Sequence, residues 1–280
     1  MFVRRHEEFI KKFIMAQLKT NRGLIWHYDI AGSGEPVLFI HGFGASGHWW
    51  SAQKESLARA YQVITVDLPG HGESDWMPVG LNEMAVDIRQ ILNAIGAAYI
   101  SVAASSFGGL VALELYRMMA GHIMRMSFVG AIPKFARGPN YPAGLDIDKI
   151  RKLSGQFNGD YTAVLDIFFR SLFTMKEREG PRSQWVKQLR AGDPVPRREA
   201  LKAFLDILEK ADLRDRLSSV ICPLQFITGS GDYICPREIM DWVAGHAYNA
   251  RFDFIDECGH LPFLTEVEEY NRLLEDFLIS

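Results

Sequence analysis

The chain has 280 residues, 48% hydrophobic and 23% charged, with 24 Gly and 12 Pro. That composition excludes collagen-like, low-complexity and disordered chains, and it leaves a soluble globular protein of one large domain or one domain with an insertion. With 31 Lys and Arg against 34 Asp and Glu the net charge is -3, so no chain-wide basic surface points to nucleic acid.

At the N-terminus, Phe9, Ile10, Phe13, Ile14 and Leu18 recur at helical spacing, which predicts an amphipathic helix over residues 1–20 that docks on the body or on a partner subunit, with a membrane surface as the alternative. Charges interrupt this segment too often for a signal peptide. No stretch approaches the roughly 18 apolar residues of a membrane span. The three cysteines, Cys222, Cys235 and Cys258, are odd in number and lack a CxxC pair, so neither a disulfide framework nor a zinc site is expected. A cytoplasmic location follows as the expectation.

From Leu24 onward, short β-rich runs alternate with helical patterns, as in βαβ units around a mostly parallel sheet. Strands are predicted at Leu24–Ile30, Val37–Ile40, Gln62–Val66, Ile100–Ala104, Met126–Ala131, Leu224–Thr228 and Arg251–Ile255. Leu81, Met84, Ile88, Ile91, Leu92 and Ile95 mark one helical face, and Leu110–Met118, Ile239–Val243 and Val267–Leu278 mark further helices. The alternation stops between Pro133 and Leu217, where Tyr161–Phe173, Ser183–Arg190 and Arg198–Lys210 read as helices without a strand. The expectation is an α/β core over 21–132 and 218–280, its central sheet flanked by helices, with a helical lid inserted at 133–217. The inserted stretch carries 17 Lys and Arg against 12 Asp and Glu, a basic lid on an acidic body.

The segment Ile100-Ser-Val-Ala-Ala-Ser-Ser-Phe-Gly-Gly-Leu110 ends a strand in small residues and opens directly into a helix. Only Ser106 has small residues two positions to either side, Ala104 and Gly108. A nucleophile on such a turn is pushed outward on strained backbone, and its neighbours must be small because other chain segments pass close by. Asp232 follows one predicted strand and His260 another, each just past a carboxyl end, where open α/β sheets place their sites. These residue types, in the order Ser, Asp, His, supply a nucleophile, an orienting acid and a general base. In His41-Gly-Phe-Gly-Ala-Ser46 the Phe43 N–H is placed to join that of Phe107 as an oxyanion hole, with His41 bracing the loop. Asp67-Leu-Pro-Gly-His-Gly72 reads as a tight structural turn, His71 being one of its turn residues. This chemistry needs no metal or organic cofactor.

With these motifs the sequence resembles the α/β-hydrolase family from about Leu24 to its end. Within it the chain is similar to the pimeloyl-acyl-carrier-protein methyl ester esterases of biotin synthesis. The likeness is carried by Leu208-Glu-Lys-Ala-Asp-Leu-Arg-Asp-Arg-Leu217 with Gly231-Asp-Tyr-Ile-Cys-Pro-Arg237, by Phe169-x-x-Leu172-x-Thr174-Met175, and by Gly259-His-Leu-Pro-Phe263. The chain departs from that pattern at Ala104, Phe43 and Phe107, where Gly, Trp and a small aliphatic are usual. The resemblance implies ester hydrolysis through an acyl-enzyme, with the methyl ester of a pimeloyl-acyl-carrier protein as substrate. Phe43, Trp49, Phe107, Phe169, Leu172, Phe173 and Leu261 are the candidates to line the acyl pocket. Arg170, Arg178, Arg182 and Lys187 are the candidates to meet an acidic carrier protein. A general carboxylesterase or lipase on small free esters shares every catalytic residue, and a carbon–carbon bond hydrolase, a perhydrolase or a ligand receptor on the same fold stay open alternatives.

Overall fold

Among the residues described by the computed structural model, 14–138, 141 and 144–280, eight strands form one sheet. They are β1 (Ile14–Lys19), β2 (Ile25–Ala31), β3 (Glu35–Ile40), β4 (Tyr61–Val66), β5 (Ile100–Ser105), β6 (Ile123–Val129), β7 (Leu224–Gly229) and β8 (Ala250–Ile255). Their spatial order is β1-β2-β4-β3-β5-β6-β7-β8. The β1–β2 and β2–β4 pairings are antiparallel and the rest parallel. Helices cover both faces, so the central strands are buried without alternation, as all six residues of β5 illustrate.

The helices in chain order are α1 (Ser51–Leu57), α2 (Leu81–Ala94) and α3 (Phe107–Met119), then α4 (Ile147–Gln156), α5 (Tyr161–Ser171), α6 (Met175–Glu179), α7 (Ser183–Gly192), α8 (Arg198–Lys210) and α9 (Arg214–Ser218), and finally α10 (Arg237–Ala244), α11 (Pro262–Thr265) and α12 (Val267–Ile279). Helices α2 and α3 pack together on the sheet, as do α1 and α12. Helix α2 buries Met84, Ile88, Ile91 and Leu92 on one stripe, and Glu83 caps its start by accepting from the Gly80 N–H at 3.1 Å. Helices α4 to α9 all fall between β6 and β7 and constitute a helical insertion.

The N-terminal expectation is corrected in part. Residues Ile14–Lys19 form the edge strand β1, antiparallel to β2 from Ile14↔Ile30 to Lys19↔Ile25, rather than the end of a helix. Thr20-Asn-Arg-Gly23 turns the chain back, with the Gly23 N–H donating to Thr20 O at 2.8 Å and Gly23 at φ +85°. Ala16 and Leu18 pack on the core, a period of two that overrides the helical spacing once a pairing strand is available. The remainder of the predicted helix lies outside the described residues.

The order of β3, β4 and β5 fixes where a ligand can sit. From β3 the chain runs outward to β4 on one side and returns to β5 on the other, which makes the β3–β5 boundary a switch point with a crevice at the strands' carboxyl ends. The loop after β3 and the turn after β5 therefore meet across that crevice.

Candidate active site

Ser106 stands between β5 and α3 with φ 50° and ψ -117°, a region that costs an L-residue about 1–3 kcal/mol and is held by its surroundings. Its N–H donates to Val129 O at 3.0 Å, and its carbonyl accepts from the Gly109 N–H at 2.9 Å. A Cβ on Gly108 would come within 2.6 Å of the Ile40 and His41 carbonyls, so the +2 position must be glycine because the end of β3 passes there. Ser105 is buried, whereas Ser106 is half-exposed.

His260 follows β8 and Asp232 follows β7, and the two are joined by Nδ1 to Oδ2 at 2.8 Å, both buried. The other Asp232 oxygen accepts from the Ile234 and Cys235 N–H groups at 2.8 and 3.0 Å, which locks the carboxylate. Gly130, at φ +54°, lies against the imidazole, and a Cβ there would come within 2.7 Å of His260 Cε1. Gly130 was not singled out from the sequence, although a glycine just past a strand that meets the site is the kind of signal that marks a close backbone approach.

The loop after β3 is braced by two neutral histidines. The Leu68 N–H donates to His41 Nε2 at 2.9 Å, while His41 Nδ1 meets Gly42 O at 2.8 Å, which assigns the proton to Nδ1. Burial lowers its affinity for a second proton. His71 is not only a turn residue: its Nε2 accepts from the Gly44 N–H at 3.3 Å, and burial, reinforced by His41, lowers its pKa to about 3. Its ring stacks on Phe204 of α8, with centroids 4.7 Å apart, and Phe204 stacks in turn on Phe107 at 4.1 Å. The Phe107 N–H is the first of α3 and has no intrahelical acceptor by position, which leaves it available to an anion together with the Phe43 N–H.

Two cavities meet at Trp49 and Phe169. The smaller, about 20 Å³, is lined by Ser105, Ser106 and His260 together with Phe43, Trp49, Phe168, Phe169, Leu172 and Leu261 among others. The larger, about 590 Å³, lies within the insertion, with Phe173, Val186 and Val195 beside Arg170, Arg178, Lys187 and Arg190. The Trp49 and Phe169 rings, 4.8 Å apart, border both.

Among the acyl-pocket candidates, Phe43, Trp49, Phe169, Leu172 and Leu261 thus border the Ser106 pocket, and Phe173 borders the larger cavity. The Phe107 ring is fully buried beneath Phe204 and borders neither. Of the basic candidates, Arg170, Arg178 and Lys187 line the larger cavity, while Arg182 pairs with Glu268 and lies over the Trp185 ring. Sequence reading missed Phe168, Glu177 and Asp193, whose contacts bridge distant parts of the chain. Asp232, Cys235 and His260 hold ligand atoms within 4.8 Å of one another, but all three are engaged. The Cys235 thiol donates to Gly130 O at 3.1 Å, and burial raises its pKa, disfavouring the thiolate a metal would need. Among the described residues no helix is long and apolar enough to cross a membrane.

Strained serine, buried histidine–carboxylate pair and switch-point sheet together define an α/β hydrolase, and the chain belongs to that family: the alpha/beta hydrolase family model matches residues 37–273. The chain is similar to the pimeloyl-[acyl-carrier protein] methyl ester esterases of Nitrosomonas europaea, at 30% identity over 87% of this chain and 96% of that protein, and of Methylococcus capsulatus, at 31% over 90% and 98%. Among solved structures, the esterase of Exiguobacterium antarcticum superposes with a TM-score of 0.87 at 25% identity, covering 95% of this chain and 100% of that one.

Proposed function

We propose that the chain is a serine carboxylesterase that hydrolyses the methyl ester of a pimeloyl group borne on acyl carrier protein, in the cytoplasm. The observation that carries the reading is the 2.8 Å His260–Asp232 pair, whose imidazole lines one pocket with a serine on strained backbone. Asp232 holds Nδ1–H, which leaves Nε2 to take the Ser106 proton as Oγ attacks the ester carbonyl. The Phe43 and Phe107 N–H groups receive the oxyanion, each donor contributing about 10²–10³ in rate. His260 then gives its proton to the departing alcohol, and water repeats the attack on the acyl-enzyme.

Space and charge support the substrate side. The pocket beside Ser106, about 20 Å³, has room for a small leaving group such as methanol. The larger cavity, apolar with Arg170, Arg178 and Lys187 at its wall, suits the carrier-linked arm, which reaches Ser106 once the Trp49 and Phe169 rings turn aside. Positive charge there would also steer an acidic carrier protein. Arg182 would act at the outer surface, where Glu268 partly neutralises it.

The test of the chemistry is hydrolysis of short p-nitrophenyl esters with Ser106→Ala as the blank. Turnover that vanishes in the variant is the expected result. Wild-type protein without turnover on any ester, carrier-bound ones included, would contradict the reading.

A further inference from the structure

Glu177 is a buried carboxylate on the short insertion helix α6, yet its bonds converge on the loop that carries His260. Its Oε2 accepts from the Gly259 N–H at 2.9 Å and from the Thr174 N–H at 2.7 Å. Its Oε1 accepts from Thr265 Oγ1 at 2.5 Å and from Cys258 Sγ at 3.0 Å. Both oxygens are thus occupied by donors from the segment 258–265 or from the helix's own cap. The Cys258 thiol stays protonated, its pKa raised by burial and by the Glu177 charge.

The surrounding backbone closes on the same loop. The His260 N–H donates to Leu172 O at 2.9 Å, and Thr174 Oγ1 donates to Glu257 O at 3.1 Å. A Cβ on Gly259 would overlap the Leu172 carbonyl, and one on Gly231 would meet Thr174 Cγ2 at 2.8 Å. Residues 172–177 of the insertion are therefore fitted against both loops of the Asp232–His260 pair at backbone contact distance. Glu177 also lines the larger cavity, together with Thr265.

We infer that Glu177 is a positioning residue, a carboxylate of the insertion that holds the His260 loop in register with Asp232 and Ser106. It touches neither the reacting atoms nor the pocket at Ser106. Its effect runs through the Gly259 N–H and through Thr265, on either side of the base. A burial role confined to α6 would require none of the three bonds to 258–265.

The inference rests on the serine-hydrolase reading, so its test uses a reagent that reports on Ser106 without needing the natural substrate. Fluorophosphonate labelling rates and steady-state ester hydrolysis are compared for wild type, Glu177→Ala and Glu177→Gln, with thermal melts to count folded protein. Glu177→Ala is expected to lose up to ~10²-fold in kcat and labelling rate, the scale of an ångström-size misplacement, with KM within about twofold. Gln can keep its carbonyl on the two backbone N–H groups and turn its amide to Thr265 Oγ1 and Cys258 Sγ, both of which can accept. Glu177→Gln is therefore expected to recover most of kcat. Folded Glu177→Ala that labels and turns over at the wild-type rate would overturn the inference, as would a Gln variant no better than Ala. If Glu177→Ala does not fold, Thr265→Val removes one donor alone: a severalfold fall in kcat supports the brace, and an unchanged kcat overturns it. Wild-type protein that resists labelling would instead remove the serine-hydrolase reading itself.

Discussion

The core and the helical insertion contribute to the same pocket by different means. In the core, each site residue sits just past a strand, and a carboxylate such as Asp67 or Asp232 is satisfied from within the core itself. Asp67 illustrates this: its carboxylate accepts from the Gly47 and Glu73 N–H groups at 2.7 and 3.0 Å and meets His27 at 2.9 Å. In the insertion, the two buried carboxylates reach outward to core loops. Glu177 takes Gly259, and Asp193 takes Ser46 Oγ at 2.5 Å and Trp49 Nε1 at 2.8 Å. Asp193 thereby grips the loop that follows Phe43, as Glu177 grips the loop of His260. The difference teaches that the sheet places Ser106, Asp232 and His260, while the insertion, besides covering the pocket, ties down the two loops on either side of Ser106.

Substitutions on the two sides separate these roles. The largest effect is expected from Ser106→Ala, with kcat down on the order of 10⁶-fold, as when the nucleophile of a serine hydrolase is removed. Melting should not fall, since the change relieves nothing and removes only an Oγ. Residual Ser106-independent turnover above a tenth of wild type would break the core side of the comparison.

Gly130→Ala should come next. The added Cβ would press on the imidazole at 2.7 Å, and Gly130 has φ +54°, so His260 must shift from Asp232. A loss of ~10²-fold in kcat is expected, larger than the accompanying loss of folded protein in a urea titration. Equal losses in both measurements would reduce Gly130 to a stability residue.

Asp193→Asn should be the mildest. Burial raises the Asp193 pKa above its ordinary 3.8 against the opposing bonds from Ser46 and Trp49. A raised carboxyl favours the folded state most below pH 3.8, and that contribution is lost as pH rises through the folded value. Asn can still accept from Trp49 and donate to Ser46. Urea midpoints measured from pH 4 to 7 should therefore show the variant gaining on wild type as pH rises, with ester turnover within about threefold because the clasp survives. A variant that loses ground steadily with rising pH would contradict this assignment.

Legibility in the sequence divides along the same line. Ser106, Asp232 and His260 were readable because each lies in a local signature: a strand, then small residues or a short loop. The mostly parallel sheet and the place of the Phe43 loop after a strand followed from the same βαβ pattern, whereas the spatial order of the strands did not. The edge strand Ile14–Lys19 was misread because Phe9, Ile10, Phe13, Ile14 and Leu18 also satisfy a helical period, and the pairing partner that decides the matter comes only after the Thr20–Gly23 turn. Glu177 and Asp193 were invisible because nothing near them in sequence names their partners: Gly259 lies 82 residues from Glu177, and Ser46 lies 147 from Asp193. The place of the Phe107 ring in the acyl pocket was misjudged for a related reason, since that ring packs under Phe204 of α8.

The most direct measurement compares kcat/KM for methyl pimeloyl-acyl-carrier protein with that for free methyl pimelate over a range of salt, in wild type and in a charge reversal of Arg170, Arg178 and Lys187. The expected result is a strong preference for the carrier-bound ester that weakens with salt and with the reversal, as electrostatic steering by the insertion requires. Equal turnover of the free ester, insensitive to salt and to the reversal, would contradict it and leave a general carboxylesterase whose insertion only shapes the pocket.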